Sequence, residues 1–318
     1  MRNPFLGGSR GSPVLVALLM ALLGIGAMVG GCGGTGSATG EDEGPHLVVA
    51  DTSYIADIAQ NVAGDRMTIG SLLPPEADPH SFEPSPGDAR IIAESKAIII
   101  NSYGLTPLVD DLIASAGGPE LLIIEAAAGL AGRVPQTGEA ALGEQEIDPH
   151  FWLDPTKVIH YVESIRNGLT AVDPDGAETY RKNAESYAHR LRELDAWIQE
   201  QVDTVPVERR LLVTNHQSFG YFADRYGFRI VGSVFPTTGG EGIPSAQQLA
   251  ALVEKIEAAG APAILLETGS NPELADQLAR ETGAKVVADL YTHSLGEDAP
   301  TYVDMMRWDV ERIVEALQ

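Results

Sequence analysis

The chain has 318 residues, and its 21 Lys and Arg against 45 Asp and Glu give a formal net charge of −24. A chain this acidic does not hold nucleic acid through phosphate contacts, and a single cysteine excludes an internal disulfide. The length suits two domains or one large one.

Residues 1–13 carry Arg2 and Arg10 and no acid, and Val14 to Val29 is almost wholly apolar. That is a secretory signal layout, too short for a membrane-spanning helix. Val29-Gly30-Gly31-Cys32 then resembles a bacterial lipobox, although Gly30 is not the commonest residue at its position. The resemblance implies cleavage before Cys32, with lipid on its sulfur. An uncleaved anchor with an incidental Cys32 is the other reading, and both place the remainder outside the cytoplasm, tied to a membrane. Residues 32–45 read as a flexible tether whose acids serve solvation. Removing residues 1–31 takes away two Arg and no acid, so the net charge becomes 19 − 45 = −26.

The folded part runs from 46 to 318. Strands are expected at 47–50, 66–73, 97–101 and 121–125, with helices at 51–62, 86–95 and 106–116. Residues 126–147 have no period and form a long loop of a kind that is usually functional or mobile. Asp148-Pro149-His150-Phe151-Trp152-Leu153-Asp154-Pro155 follows. Asp154 suits an N-cap and Pro155 the first turn of a helix, whose apolar stripe is Val158, Val162, Ile165 and Leu169. The opening of this motif has a counterpart in Asp78-Pro79-His80-Ser81-Phe82-Glu83-Pro84. One Asp-Pro-His is weak evidence because Asp-Pro starts many turns, whereas two in Pro-bounded loops are harder to dismiss.

From Asp173-Pro174 to Val205-Pro206 runs the longest helical signal, with Tyr180, Ala184, Tyr187, Leu191, Leu194 and Ile198 in one stripe. Some 30 residues of helix would span about 45 Å, which reads as a rigid strut joining two lobes. The other reading is a long surface helix on one domain. Beyond it, strands are expected at 211–215, 228–235, 263–267 and 285–290. Helices are expected at 219–226, 245–259, 271–283 and 300–317, and a Gly-rich loop at 237–242. The expectation is an α/β chain of two parallel-sheet lobes joined by one long rigid helix. The segments are a signal peptide at 1–31, a tether at 32–45, an N-terminal lobe at 46–172, the linking helix at 173–205 and a C-terminal lobe at 206–318.

Parallel sheets bind ligands outside the carboxyl ends of their strands. His80, His216 and His293 follow predicted strands, and His150 lies in a loop where the domains join. The chain has seven histidines; His46, His160 and His189 lie off the apolar stripes or in the tether and read as solvated. Four imidazoles converging in the cleft between the lobes are best explained by a metal, and they suit a tetrahedral ion such as Zn²⁺.

The segments 78–84, 148–155, Val213-Thr214-Asn215-His216-Gln217-Ser218-Phe219-Gly220-Tyr221-Phe222 and Asp289-Leu290-Tyr291-Thr292-His293-Ser294-Leu295 resemble those of the metal-specific solute-binding lipoproteins of ABC importers. The likeness covers 46–318. It implies a receptor that is not an enzyme, with His80, His150 and His216 as ligands, a membrane permease as partner and a monomeric state. That family usually has aspartate at the fourth position. Here it is His293, which either replaces the carboxylate or turns away so that Asp289 or water completes the shell; replacement is favoured. Manganese receptors of the family tend to carry glutamate where this chain has His216, and an all-nitrogen site suits Zn²⁺ better than the harder Mn²⁺. Zn²⁺ is therefore expected, with Mn²⁺ as the alternative. The His-rich loop of some zinc receptors is absent from 126–147. Two other classes fit less well, a zinc hydrolase with Glu267 as base and a cell-adhesion protein. The first lacks His-Glu-x-x-His, and nothing specific marks the second.

Overall fold

The computed structural model describes residues 48–134, 147–235, 237, 239 and 243–318. The expected signal peptide, Cys32, the tether and His46 lie outside the described residues, as do positions 135–146 of the expected long loop.

The first lobe contains β1 (Val48–Ala50), α1 (Ser53–Ala63), β2 (Ile69–Ser71), α2 (Pro86–Glu94), β3 (Ala97–Ile100), α3 (Pro107–Ala116) and β4 (Leu122–Glu125). Its sheet is wholly parallel in the order β2-β1-β3-β4. α4 (Pro155–Val172) and α5 (Ala177–Val202) follow. The second lobe contains β5 (Leu211–Thr214), α6 (Gly220–Tyr226), β6 (Arg229–Ser233), α7 (Ala246–Ala259), β7 (Ala263–Glu267), α8 (Glu273–Thr282), β8 (Lys285–Leu290) and α9 (Tyr302–Leu317). Its sheet, also parallel, has the order β6-β5-β7-β8. The central strands β3, β5 and β7 are buried along their whole length, as strands covered on both faces must be.

Local chemistry sets the helix starts. Ser85 and Asp88 exchange side-chain and backbone bonds around the N-terminus of α2, and Ser245 and Gln248 do the same for α7. Asp154 accepts from the Thr156 amide at 2.9 Å, so α4 begins where its Asp-Pro predicts. Gly227, Gly260 and Gly283 end α6, α7 and α8 in the left-handed conformation.

The long helix differs from expectation at both ends. Asp173 closes α4 instead of opening α5, and a 3-10 turn over Pro174–Gly176 separates the two. Asp173 is held there by Arg66 at 2.7 and 3.0 Å and by the Tyr180 hydroxyl at 2.5 Å. The 26 residues of α5 therefore span about 39 Å. α5 is no free-standing strut, for it packs on α1 and α4 along one part and on α9 along another. Its buried stripe is the expected one extended by Ala188 and Val202, and all of it but Ala188 joins a single core. That core includes Tyr54 and Trp152 as well as Leu212, Phe222, Met305 and Val310. Expected strands 66–73 and 228–235 are shorter here, at 69–71 and 229–233.

Candidate metal centre

In each sheet the chain reverses its direction of growth between two central strands, β1 and β3 in the first lobe, β5 and β7 in the second. Crevices at such points, outside the carboxyl ends, are where α/β sheets hold ligands. Asp51 and Asn101 follow β1 and β3. His216 follows β5, and Glu267 ends β7.

Four histidines meet between these ends. The Nε2 atom of His150 lies 3.2 Å from that of His80, 3.2 Å from that of His216 and 3.1 Å from that of His293. Ligand atoms of all four lie within 4.8 Å of one another. All four side chains are buried, His150 completely. One imidazole nitrogen offers a single proton or a single lone pair, so His150 Nε2 cannot hydrogen-bond three neighbours at once. The cluster is a cage of nitrogens, not a hydrogen-bond network. A tetrahedral shell with bonds of about 2.0–2.1 Å sets its nitrogens about 3.3–3.4 Å apart, close to the spacings around His150. The structure thus brings together His80, His150, His216 and His293. Asp289 is exposed on β8 and outside this group.

The repeated Asp-Pro-His has one local function in both places. The Asp78 carboxylate accepts the His80 amide at 2.9 Å, and Asp148 accepts the His150 amide at 3.0 Å. Each aspartate captures the N–H two residues on and closes a tight turn that aims the histidine. Asp148 does more, since its Oδ1 also lies 2.8 Å from His150 Nδ1. Beneath this loop the Asn101 amide donates to the Pro149 carbonyl at 3.0 Å, and its backbone N–H donates to Asp51 at 2.8 Å. From the second lobe, the Tyr221 hydroxyl donates to the Asp148 carbonyl at 2.9 Å.

The loop after β8 is tied across the lobes as well. Trp152, fully buried, donates its indole N–H to the Thr292 carbonyl at 2.7 Å. The Leu295 amide donates to Ser53 Oγ at 2.9 Å, and Asp309 on α9 accepts the Tyr291 amide at 2.8 Å. His293 Nδ1 lies 3.3 Å from Glu267 Oε2, and His216 Nδ1 lies 3.0 Å from Oε1 of the same carboxylate. The His216 contact is bent away from good hydrogen-bond geometry, and that nitrogen has no other partner among the described residues. Glu267, the hydrolytic base of the zinc-hydrolase reading, faces a histidine with each of its oxygens. A cavity lined by Glu76, Asp78, Asn215 and Asn271 adjoins His216 and His293 and opens the cage toward solvent.

Burial governs the electrostatics. It pushes His80 down to about 2, with His293 and His216 adding repulsion, and it takes His150 well below the ordinary imidazole value. Burial also opposes charge on His293, but Glu267 outweighs it and the net shift is upward. Glu267 is held well below its usual range although burial works the other way, because both histidines favour its charge. Burial pushes Asp148 up to about 7, against its bond from the His150 amide and the nearby Arg133. The site thus keeps His80 and His150 as neutral nitrogen donors, and it favours a proton on the His293–Glu267 pair that must leave before His293 can ligate.

Sequence reading missed this outer ring of Asn101, Trp152 as a clamp, Tyr221 and Asp309. A polar residue closing an all-apolar strand, as Asn101 and Glu267 do, was the available signal. His160, expected to be solvated, instead lies 2.7 Å through its Nε2 from the Ala128 carbonyl, while His189 is exposed on α5 as expected.

Two parallel-sheet lobes around a buried crevice are the architecture of the solute receptors of ABC transporters, a class that is not enzymatic. The chain belongs to the family described as "Zinc-uptake complex component A periplasmic", which matches residues 48–316. It is 31% identical over 306 residues to the manganese-binding lipoprotein MntA of Halalkalibacterium halodurans, covering 95% of this chain and 98% of that one. Its fold is similar to the Mn-bound periplasmic metal binding protein of Candidatus Liberibacter asiaticus, with TM-score 0.77, 27% identity, and 86% and 100% of the two chains covered. It is likewise similar to the periplasmic zinc binding protein TroA of Treponema pallidum, with TM-score 0.76, 25% identity, and 86% and 99% covered. The chain is accordingly a substrate-binding protein of the metal ABC-transporter type.

Proposed function

We propose that the protein captures a single divalent transition metal, Zn²⁺ by preference, on His80, His150, His216 and His293, and delivers it to a membrane permease. It works outside the cytoplasm, anchored through lipid on Cys32. The observation that carries this reading is the convergence of four imidazole nitrogens on one buried point. No carboxylate oxygen belongs to that group, and an all-nitrogen tetrahedral set favours Zn²⁺ over Mn²⁺. Glu267, one layer out, supplies a negative charge beside His216 and His293, and the Asp148 carboxyl stands against His150 Nδ1. The mechanism is ligand exchange without bond chemistry: the ion sheds water, takes four nitrogens and expels the proton held by the His293–Glu267 pair.

Manganese capture is the second reading, favoured by the names of MntA and of the Mn-bound neighbour. Competition decides between them. Chelator-stripped protein lacking residues 1–32 is titrated with Zn²⁺ and Mn²⁺ together, and bound metal is read by elemental analysis. One tightly held Zn²⁺ that excess Mn²⁺ leaves in place is the expected result. Preferred Mn²⁺ would mean that a carboxylate enters the shell. His80→Ala and His216→Ala are each expected to abolish tight binding, and retention by both would overturn the site.

A further inference from the structure

Glu267 touches two of the four histidines with its two oxygens. Resting on the metal-receptor reading above, we infer that Glu267 is a positioning residue that makes His216 and His293 a single two-pronged donor. An imidazole presents a lone pair at Nε2 only when its proton sits on Nδ1, and a buried Nδ1–H needs an acceptor. A carboxylate is the side chain with two acceptor oxygens and no donor, so it serves two such protons at once. Glu267 stands at the carboxyl end of β7, between the strand that leads to His216 and the one that leads to His293. Its Oε1 lies 3.0 Å from His216 Nδ1 and also accepts from Ser218 Oγ at 3.2 Å, while Oε2 lies 3.3 Å from His293 Nδ1. The two rings it serves are stacked, with centroids 4.8 Å apart and planes 23° from parallel.

The two prongs depend on Glu267 unequally. His293 Nδ1 has a second neighbour in Thr292 Oγ1 at 3.0 Å, whereas His216 Nδ1 has only the bent 3.0 Å approach of Glu267 Oε1 among the described residues. In the first lobe His150 has its own carboxylate in Asp148. Loss of Glu267 therefore strikes the second-lobe half of the cage, and His216 first.

The test is Glu267→Gln, which keeps size and shape but turns one oxygen into an N–H donor. Its tautomers are read by ¹⁵N NMR of the histidine rings in Zn²⁺-loaded protein, and its affinity by competition with a chelator. The expected result is a drop in affinity of about tenfold to hundredfold. His216 should shift away from the Nδ1–H form while His80 and His150 keep theirs. Co²⁺ substituted for Zn²⁺ should lose the intense visible absorption of a four-coordinate ion. Glu267→Asp, which retains a carboxylate but reaches one ring only, is expected to fall between and supplies the comparison should the Gln variant not fold. Wild-type protein is run alongside. Tight binding in wild type and variants alike, with unchanged tautomers, overturns the positioning role and leaves the receptor reading standing. No tight binding in wild type overturns the receptor reading itself.

Discussion

His150 is the residue on which the others converge, and its environment is the most constrained in the site. Its Nδ1 and its amide are both on Asp148, its ring has no exposure, and its Nε2 faces the three other donors. The protonation of the set has a definite sign. His80 and His150 are held below the free value of 6.5, so in the metal-free protein they favour folding fully above 6.5. That contribution is lost as pH falls below 6.5, because the unfolded chain takes protons the folded one refuses. His293 is shifted upward, so its contribution is present below 6.5 and is lost as pH rises through its folded value. Metal competes with this last proton. Zn²⁺ affinity is thus expected to fall as pH drops, the decline setting in above pH 6.5. Calorimetric titrations in buffers of different ionisation enthalpy should show about one proton released per ion bound in that window. Affinity independent of pH between 6 and 8 would contradict the assignment of His293 as a ligand.

At the level of elements, the loops carry the donors and the helices behind them hold the loops still. α4 begins three residues after Trp152, whose indole reaches the Thr292 carbonyl of the opposite lobe, and the Tyr302 hydroxyl on α9 donates to the Trp152 carbonyl at 2.7 Å. α4 itself lies close on β4. A methyl group built on Gly168 would come within 2.3, 2.5 and 2.9 Å of three atoms of Ile124, a buried side chain with little room to move. Gly168→Ala gains about 1 kcal/mol of helix propensity, but overpacking of this kind costs about 1–3 kcal/mol. The substitution is expected to leave stability unchanged or lower it by up to about 2 kcal/mol. Urea unfolding of the metal-free protein measures this, and a clear gain in midpoint would show that α4 can move off the sheet.

On the scale of the whole molecule, the two sheets are separate but the main core is not. Residues of α1, α4, α5, α6 and α9 belong to one apolar cluster, and α9, from the end of the chain, packs on α1 from its beginning. Its first residue, Tyr302, donates its amide to Asp57 on α1 at 3.0 Å. Residues 206–318 alone would expose the faces of α6 and α9 that α5 and α1 cover. That fragment is expected to lack a cooperative thermal transition, whereas residues 46–318 should unfold in one; circular dichroism on both decides it. A cage with donors from both lobes adds to this coupling, and saturating Zn²⁺ at about a thousand times its dissociation constant would stabilise the whole by about 4 kcal/mol.

Much of this was legible in one dimension. Every strand and helix position was readable to within a few residues, because apolar runs of strand length alternate with stripes of helical period between Gly and Pro stops. The grouping of the four histidines was readable too, His80, His216 and His293 because a parallel sheet sends each strand's carboxyl end to the same side, and His150 through the repeated Asp-Pro-His. The ends of α5 were not legible: Asp-Pro reads equally as a start or a stop, and Arg66, 107 residues away, settles which. Nor were the partners of the ligands. Glu267, Trp152 and Asn101 contact groups 26–140 residues distant in the chain, and such pairings arise only when the sheets order their strands and the common core brings the lobes together. Local patterns of polarity specify elements and the faces they bury; the identity of a buried carboxylate's partner depends on chain crossings that no local pattern encodes.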